Sequence, residues 1–96
     1  MKVLDIRLLP VHGSKPTRAF ADLELDGITI RDFRVYQQNG KPAVRNPFST
    51  YKDHEGSLTF REIISLPGTV QAEAHALILN AYFHRLKEMQ HGETTE

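Results

Sequence analysis

Between Arg31 and Arg61 the chain carries Arg31, Arg34, Lys41, Arg45, Lys52 and Arg61 against only Asp32, Asp53 and Glu55. Guanidinium and ammonium groups neutralise phosphates, and the rings of Phe48 and Tyr51, set among them, have faces on which exposed bases can stack. Arg31, Lys41, Arg45, Lys52, Arg61 and Tyr51 are therefore the candidate nucleic-acid-binding residues. Arg34 ranks below them, because strand alternation sets it on the opposite side from Arg31 unless a bulge realigns the two. The competing reading is an ordinary solvated surface, with Phe48 and Tyr51 as hydrophobic anchors that tie a loop to a sheet.

Other chemistries are less well provided for. Five histidines invite a metal reading. On a helix, however, His75 and His84 fall on nearly opposite faces, and His84 and His91 stand about 10.5 Å apart along the axis. His84 with Glu88 is a close pair, and two ligands do not define a site. Ser49, Asp53 and His54 are catalytic residue types, but Asp53-His54-Glu55-Gly56 reads as a turn, and no phosphate-cradling glycine motif or nucleophile elbow is present. No catalytic residue, metal or cofactor is expected.

Composition limits what can position these groups. Ninety-six residues with 40% hydrophobic content suit one core, since halving the chain would leave each part too small to bury enough apolar surface. The absence of cysteine excludes disulfide staples and thiolate chemistry and fits a reducing compartment. Asp5 and Arg7 interrupt the N-terminal apolar residues, and no run approaches the roughly 20 apolar residues of a bilayer span, so a cytoplasmic location is expected. Net charge is zero, yet the segment from Glu62 onward sets Arg85 and Lys87 against Glu62, Glu73, Glu88, Glu93 and Glu96. The basic middle and acidic end matter more for partners than the sum.

Hydrophobic periodicity predicts an α+β fold: a small antiparallel sheet of about five strands, built from hairpins, followed by one long helix. Residues 1–10 alternate as a first strand with Leu4, Ile6 and Leu8 on one side, and 11–17 form a flexible, turn-rich connection. Arg18 to Leu25 is a second strand with Ala19, Ala21, Leu23 and Leu25 inward. Asp26-Gly27 supplies the positive φ values of a two-residue turn, so the second and third strands pair antiparallel. The third strand changes inner parity from Ile28 and Ile30 to Phe33 and Val35, which a bulge near Arg31-Asp32 reconciles. After a second turn at Asn39-Gly40, Pro42 marks an edge segment because it lacks the N–H a ladder needs. Residues 46–56 read as polar loop, and Ser57 to Ile64 as a last strand with Leu58, Phe60 and Ile64 inward. Thr69 is the expected N-cap of a helix whose stripe runs through Val70, Ala74, Leu77, Ile78, Ala81, Tyr82, Leu86 and Met89. Gly92 is its expected end, giving one domain over residues 1–91 and a disordered tail over 92–96.

In this order, several segments resemble the SpoVG family (stage V sporulation protein G, septation regulator). Met1-Lys2-Val3-Leu4-Asp5-Ile6-Arg7-Leu8 is similar to that family's first strand. Ala21-Asp22-Leu23-Glu24-Leu25-Asp26-Gly27 followed by Ile30-Arg31-Asp32-Phe33-Arg34-Val35 resembles its central hairpin. Val44-Arg45-Asn46-Pro47, Phe60-Arg61-Glu62-Ile63 and Ala76 to Tyr82 resemble its loop entry, a later strand and its terminal helix. The likeness spans about residues 1–86 and lies in the order of short motifs. Two segments depart from it. Family members commonly carry a Lys-Arg pair just after the loop proline, where this chain has Pro47-Phe48-Ser49-Thr50-Tyr51-Lys52, and the usual His-Pro after the last strand is here Leu66-Pro67.

The resemblance implies a non-enzymatic regulator that binds DNA, and in some members RNA, with roles in septation, sporulation and gene expression. It also implies a homodimer, for which there is a physical reason: a small sheet with one helix leaves edges that need protection. The alternative is a protein-interaction module of the same fold without nucleic-acid affinity.

Overall fold

A computed structural model describes residues 1–10 and 15–94, with side chains through residue 89. Its elements are β1 (Lys2–Leu8), β2 (Thr17–Leu25), β3 (Ile28–Gln38), β4 (Lys41–Arg45), β5 (Phe48–Lys52), β6 (Leu58–Glu62) and α1 (Gly68–Thr94). Residues 11–14 of the expected connection and 95–96 of the expected tail lie outside the described residues. The fold is α+β: β1-β2-β3-β4 form an antiparallel sheet, β5-β6 a separate hairpin, and one long helix follows. Asp26 and Gly27 take φ of 49° and 80°, and Asn39 and Gly40 take 52° and 78°. Both pairs thus make the left-handed two-residue turns their residue types favour. β4 is an edge strand, as Pro42 requires.

The helix lies across one face of the four-stranded sheet. Ala74, Ile78 and Tyr82 pack with Ala19, Ala21, Leu23, Ile30, Phe33 and Val35 into a single core. Alanines at 19 and 21 let the helix approach the sheet closely, while Phe33 and Leu23 fill the space beside them. Several local expectations need correction. A register shift between Val3 and Asp5 turns Leu4 outward, 45% exposed, and puts Val3 against the core with Ile6 and Leu8. Ile28, beside the hairpin turn, is 61% exposed. The expected polar loop of 46–56 contains β5, and Leu58 and Phe60, expected inward, are exposed because β6 pairs with β5 rather than joining the main sheet. The helix starts at Gly68, ahead of Thr69. The N–H of Gln71 donates to the carbonyl of Pro67 at 2.8 Å, so Pro67 occupies the cap position. At the other end α1 continues past Gly92 to Thr94.

The expected bulge at Arg31-Asp32 is present. Ala21 pairs with Phe33 and Leu23 with Ile30, so two residues of β3 face Asp22 alone, and Asp32 takes φ of 68°. Asp22 is 4% exposed although it points away from the core. Its carboxylate accepts two bonds from Arg7, at 2.9 and 3.1 Å, one from the Arg31 guanidinium at 3.3 Å, and one from the Asp32 backbone N–H at 3.2 Å. The bond from Arg7, above all, holds the Asp22 carboxyl below its usual pKa despite the opposing cost of burial. Asp5 and Asp32 complete the cluster around Arg7.

A second polar node joins the hairpin to the body. Asn46, 2% exposed, donates from Nδ2 to Gln71 at 2.8 Å and to Glu62 at 3.3 Å, while its Oδ1 accepts from Nε2 of His75 at 2.7 Å. All three side-chain hydrogen bonds of the buried amide go to β6 or α1. Burial lowers the pKa of His75, with Glu62 acting in the opposite direction.

Asp22→Asn removes the charge that orients Arg7 and caps the bulge, and should cost about 2 kcal/mol in urea denaturation. Neutral His75 is the form the fold prefers. Its contribution is therefore present above about pH 6.5 and lost as pH falls through the lower folded-state value. Between pH 7.5 and 5.5, the parent should lose stability with a slope of at most about 1.4 kcal/mol per pH unit. In His75→Gln, which keeps a donor for Asn46, that slope should flatten.

Candidate nucleic-acid interface

On the face of the main sheet opposite the helix, strand alternation gathers a cluster of basic and aromatic side chains. On β2 and β3, Phe20 stands opposite Arg34, and on β3 and β4, Arg34 stands opposite Arg45 and Tyr36 opposite Ala43. The β5-β6 hairpin folds two further rings onto this surface. The Arg34 guanidinium lies 4.3 Å from the Phe48 centroid and 5.3 Å from that of Phe20. The Arg45 guanidinium lies 4.8 Å from Phe60, 5.4 Å from Tyr36 and 5.6 Å from Phe48. Phe48 and Phe60 themselves pack at 5.5 Å. Two cations are thus held among four rings, a geometry that packs each planar guanidinium against aromatic surface.

Like charges directly opposite on neighbouring strands are unfavourable. Among the described residues, the ion pairs join Arg7 and Arg31 to Asp5, Asp22 and Asp32, and neither Arg34 nor Arg45 takes part in one. The same face therefore has a neutralised end, where carboxylates enclose Arg7, and an end where two unneutralised arginines face each other. A dianion or a bridging phosphate is the chemical species that relieves such a pair.

The predicted residues divide on this map. Arg45 lies in the cluster. Lys41 has the same strand parity on β4 and shares its face at the exposed end. Lys52 has the parity of Phe48 and Phe60 on the hairpin, whereas Tyr51 and Arg61, aligned with Thr59 and Ser49, share the hairpin's other side. Arg31 is on the sheet's helix-free face but is bonded to Asp22. The structure therefore does not bring all six together. It adds Phe20, Arg34, Tyr36 and Phe60, which sequence reasoning left out of the site. For Arg34 the signal was in the sequence: the bulge expected near Arg31-Asp32 keeps Arg31 and Arg34 on one face by consuming one residue between them, and ranking Arg34 by plain alternation left it unused.

Among the described residues, no group of three or more His, Asp or Glu side chains gathers in a way that could hold a metal ion. His75 is engaged with Asn46 and stands edge-on to Phe33 at 6.4 Å, away from the arginine cluster. Asp53 serves its turn: its carboxylate accepts from the N–H of Glu55 and of Ser57, at 2.9 and 3.0 Å. No helix among the described residues is long and apolar enough to cross a membrane. No family model matches the chain, and no relative is found among curated proteins.

Raising ionic strength screens the Arg34–Arg45 repulsion. In thermal melts, added salt should therefore stabilise the parent more than Arg34→Gln, in which that repulsion is gone. Identical salt responses would mean that the pair carries no repulsion to relieve.

Proposed function

We propose that this chain is a SpoVG-like, non-enzymatic regulatory protein of the cytoplasm that binds nucleic acid as a homodimer. DNA and, through the same phosphate chemistry, RNA are its ligands, in septation- or sporulation-type gene regulation. The observation that carries the reading is the Arg34–Arg45 pair, directly opposed, without carboxylate partners among the described residues and framed by Phe20, Tyr36, Phe48 and Phe60. Phosphates satisfy the cations and the rings add contact area that does not depend on charge. Lys41 and Lys52 extend the positive surface on either side of Arg45 along β4 and the hairpin. Two copies would present two such faces, which raises avidity for a polymer without any new contact.

A second reading rests on a different observation. Leu58 is 72% exposed and Phe60 56%, on one side of β6, and Ile63, just past its end, is 65% exposed. Exposed apolar side chains at this end of the hairpin favour an interaction surface. It suits the second copy of a homodimer, and equally a protein partner of a module that does not bind nucleic acid.

Binding of the purified protein to labelled DNA and RNA across a salt series separates the two readings. Affinity should fall with salt, and the slope of log K against log salt should shrink by about one for Arg34→Gln and for Arg45→Gln. Arg61→Gln, on the other side of the hairpin, should change it less. Absence of binding at low salt by a folded parent would shift the assignment to the protein-interaction module.

A further inference from the structure

Beside the arginine pair is a cleft of about 270 Å³ lined by Pro16, Thr17, Arg34, Tyr36, Arg45 and Phe48. We infer that this cleft seats one unpaired nucleotide of a single strand, its phosphate held by Arg34 and Arg45 and its base laid against Tyr36 and Phe48. The inference deepens the nucleic-acid reading above and rests on it.

Size is the first argument. Pockets that enclose a whole small molecule run to about 300–1,000 Å³. A smaller, open cleft suits one unit of a longer chain whose remainder continues over the surface. Chemistry is the second. Among the described residues no carboxylate lines the cleft, two guanidinium groups do, and the other walls are a phenol ring, a phenyl ring, a proline and a threonine. That combination of two phosphate ligands with flat apolar walls matches a nucleotide better than it matches a free anion, which has no use for the rings, or an apolar peptide, which would strand both cations.

The walls are also fixed in place before any ligand arrives. The backbone N–H of Gln37 donates to the carbonyl of Pro16 at 2.9 Å, tying the Pro16–Thr17 wall to β3. The Tyr36 hydroxyl donates to Gln38 at 3.2 Å, which orients the phenol ring, and Arg34 is stacked 4.3 Å from Phe48. A preformed seat avoids the ordering cost of assembling one around the ligand. Paired bases cannot use it: a duplex offers its phosphates to the arginines, but its bases stay in the stack unless unpairing is paid for in energy. Single strands should therefore bind more tightly than duplex of the same length.

The test compares an oligothymidylate, an abasic oligonucleotide of equal length and a duplex of equal length, each labelled, against the full chain at one salt concentration. The abasic strand keeps every phosphate and has no base to stack. The oligothymidylate should bind about 5- to 150-fold more tightly than the abasic strand, the range spanned by one base–aromatic stack, and more tightly than the duplex. Tyr36→Leu should bring the oligothymidylate down towards the abasic strand, lowering its affinity by a larger factor than that of the abasic strand. If that variant does not fold, the comparison with the parent protein decides by itself. Equal affinity of the parent for all three probes, or tighter duplex binding, would overturn the nucleotide seat while leaving the phosphate-binding function standing. No binding to any of them would overturn both.

Discussion

The Asp22 carboxylate and the bulge it caps are the constraint on which the remaining geometry depends. Simple alternation from Ile30 would turn Asp32 inward, Phe33 outward and Arg34 into the core. The extra residue at Arg31-Asp32 cancels that slip, so Ile30, Phe33 and Val35 all face the helix while Arg31 and Arg34 both face away. An aspartate in the left-handed region is tolerable where local hydrogen bonds hold it, and the Asp32 N–H has its acceptor in Asp22. Arg7 completes the arrangement from β1 by making Asp22 affordable as a nearly buried anion. One carboxylate thus links three strands and sets the facing of every functional side chain on β3.

That arrangement also sorts the positive charge. Arg7 and Arg31 sit among three aspartates at one end of the sheet and serve the fold, while Arg34 and Arg45 are matched with rings instead of carboxylates. A sheet optimised for stability alone would place an acid opposite one of them, since a cross-strand pair of opposite charges contributes where like charges oppose folding. Proteins retain such locally unfavourable arrangements where a ligand supplies the missing partner. The zero net charge of the chain conceals this division, because the acids that balance the sum are spread over the Arg7 cluster, the β2-β3 turn, the hairpin and the helix.

Much of the architecture was legible in the sequence because it rests on local chemistry. Asp26-Gly27 and Asn39-Gly40 demanded positive φ, Pro42 demanded an edge, and the parity change in β3 demanded a bulge where Asp32 now sits. What was not legible depends on tertiary pairing. Leu58 and Phe60 alternate like a half-buried strand, but their strand pairs with β5 outside the main sheet, so the same pattern marks an exposed apolar strip. Leu4 alternates correctly with Ile6 and Leu8, yet a shift in β1 displaces it, and no special residue in β1 announces the shift. The site was half legible for the same reason. Charge and ring types pointed to the right segment, but the hairpin's twofold alternation parts Lys52 from Tyr51 and Arg61, and only the fold brings Phe20 from β2 beside Arg34.

The arginine–aromatic cluster lies at a seam, and this gives the hairpin a role beyond supplying rings. β5 and β6 are held by the Asn46 node, by the bond from the Ile63 N–H to the Pro47 carbonyl at 2.9 Å, which ties the two ends of the hairpin to each other, and by the stacking of Arg34 and Arg45 on Phe48 and Phe60. The first two attachments are at the start of β5 and just past the end of β6, and leave the far turn at Asp53–Gly56 to project. The third is the attachment a ligand would engage. A group that binds the two guanidinium edges draws the arginines' charge towards itself without displacing them from the rings, so it stabilises the docked hairpin more than an undocked one. By linkage, whatever holds the hairpin in place strengthens binding at the seam by the same amount. Asn46, almost wholly buried, would therefore be coupled to such a site through the position of Phe48, two residues along the chain.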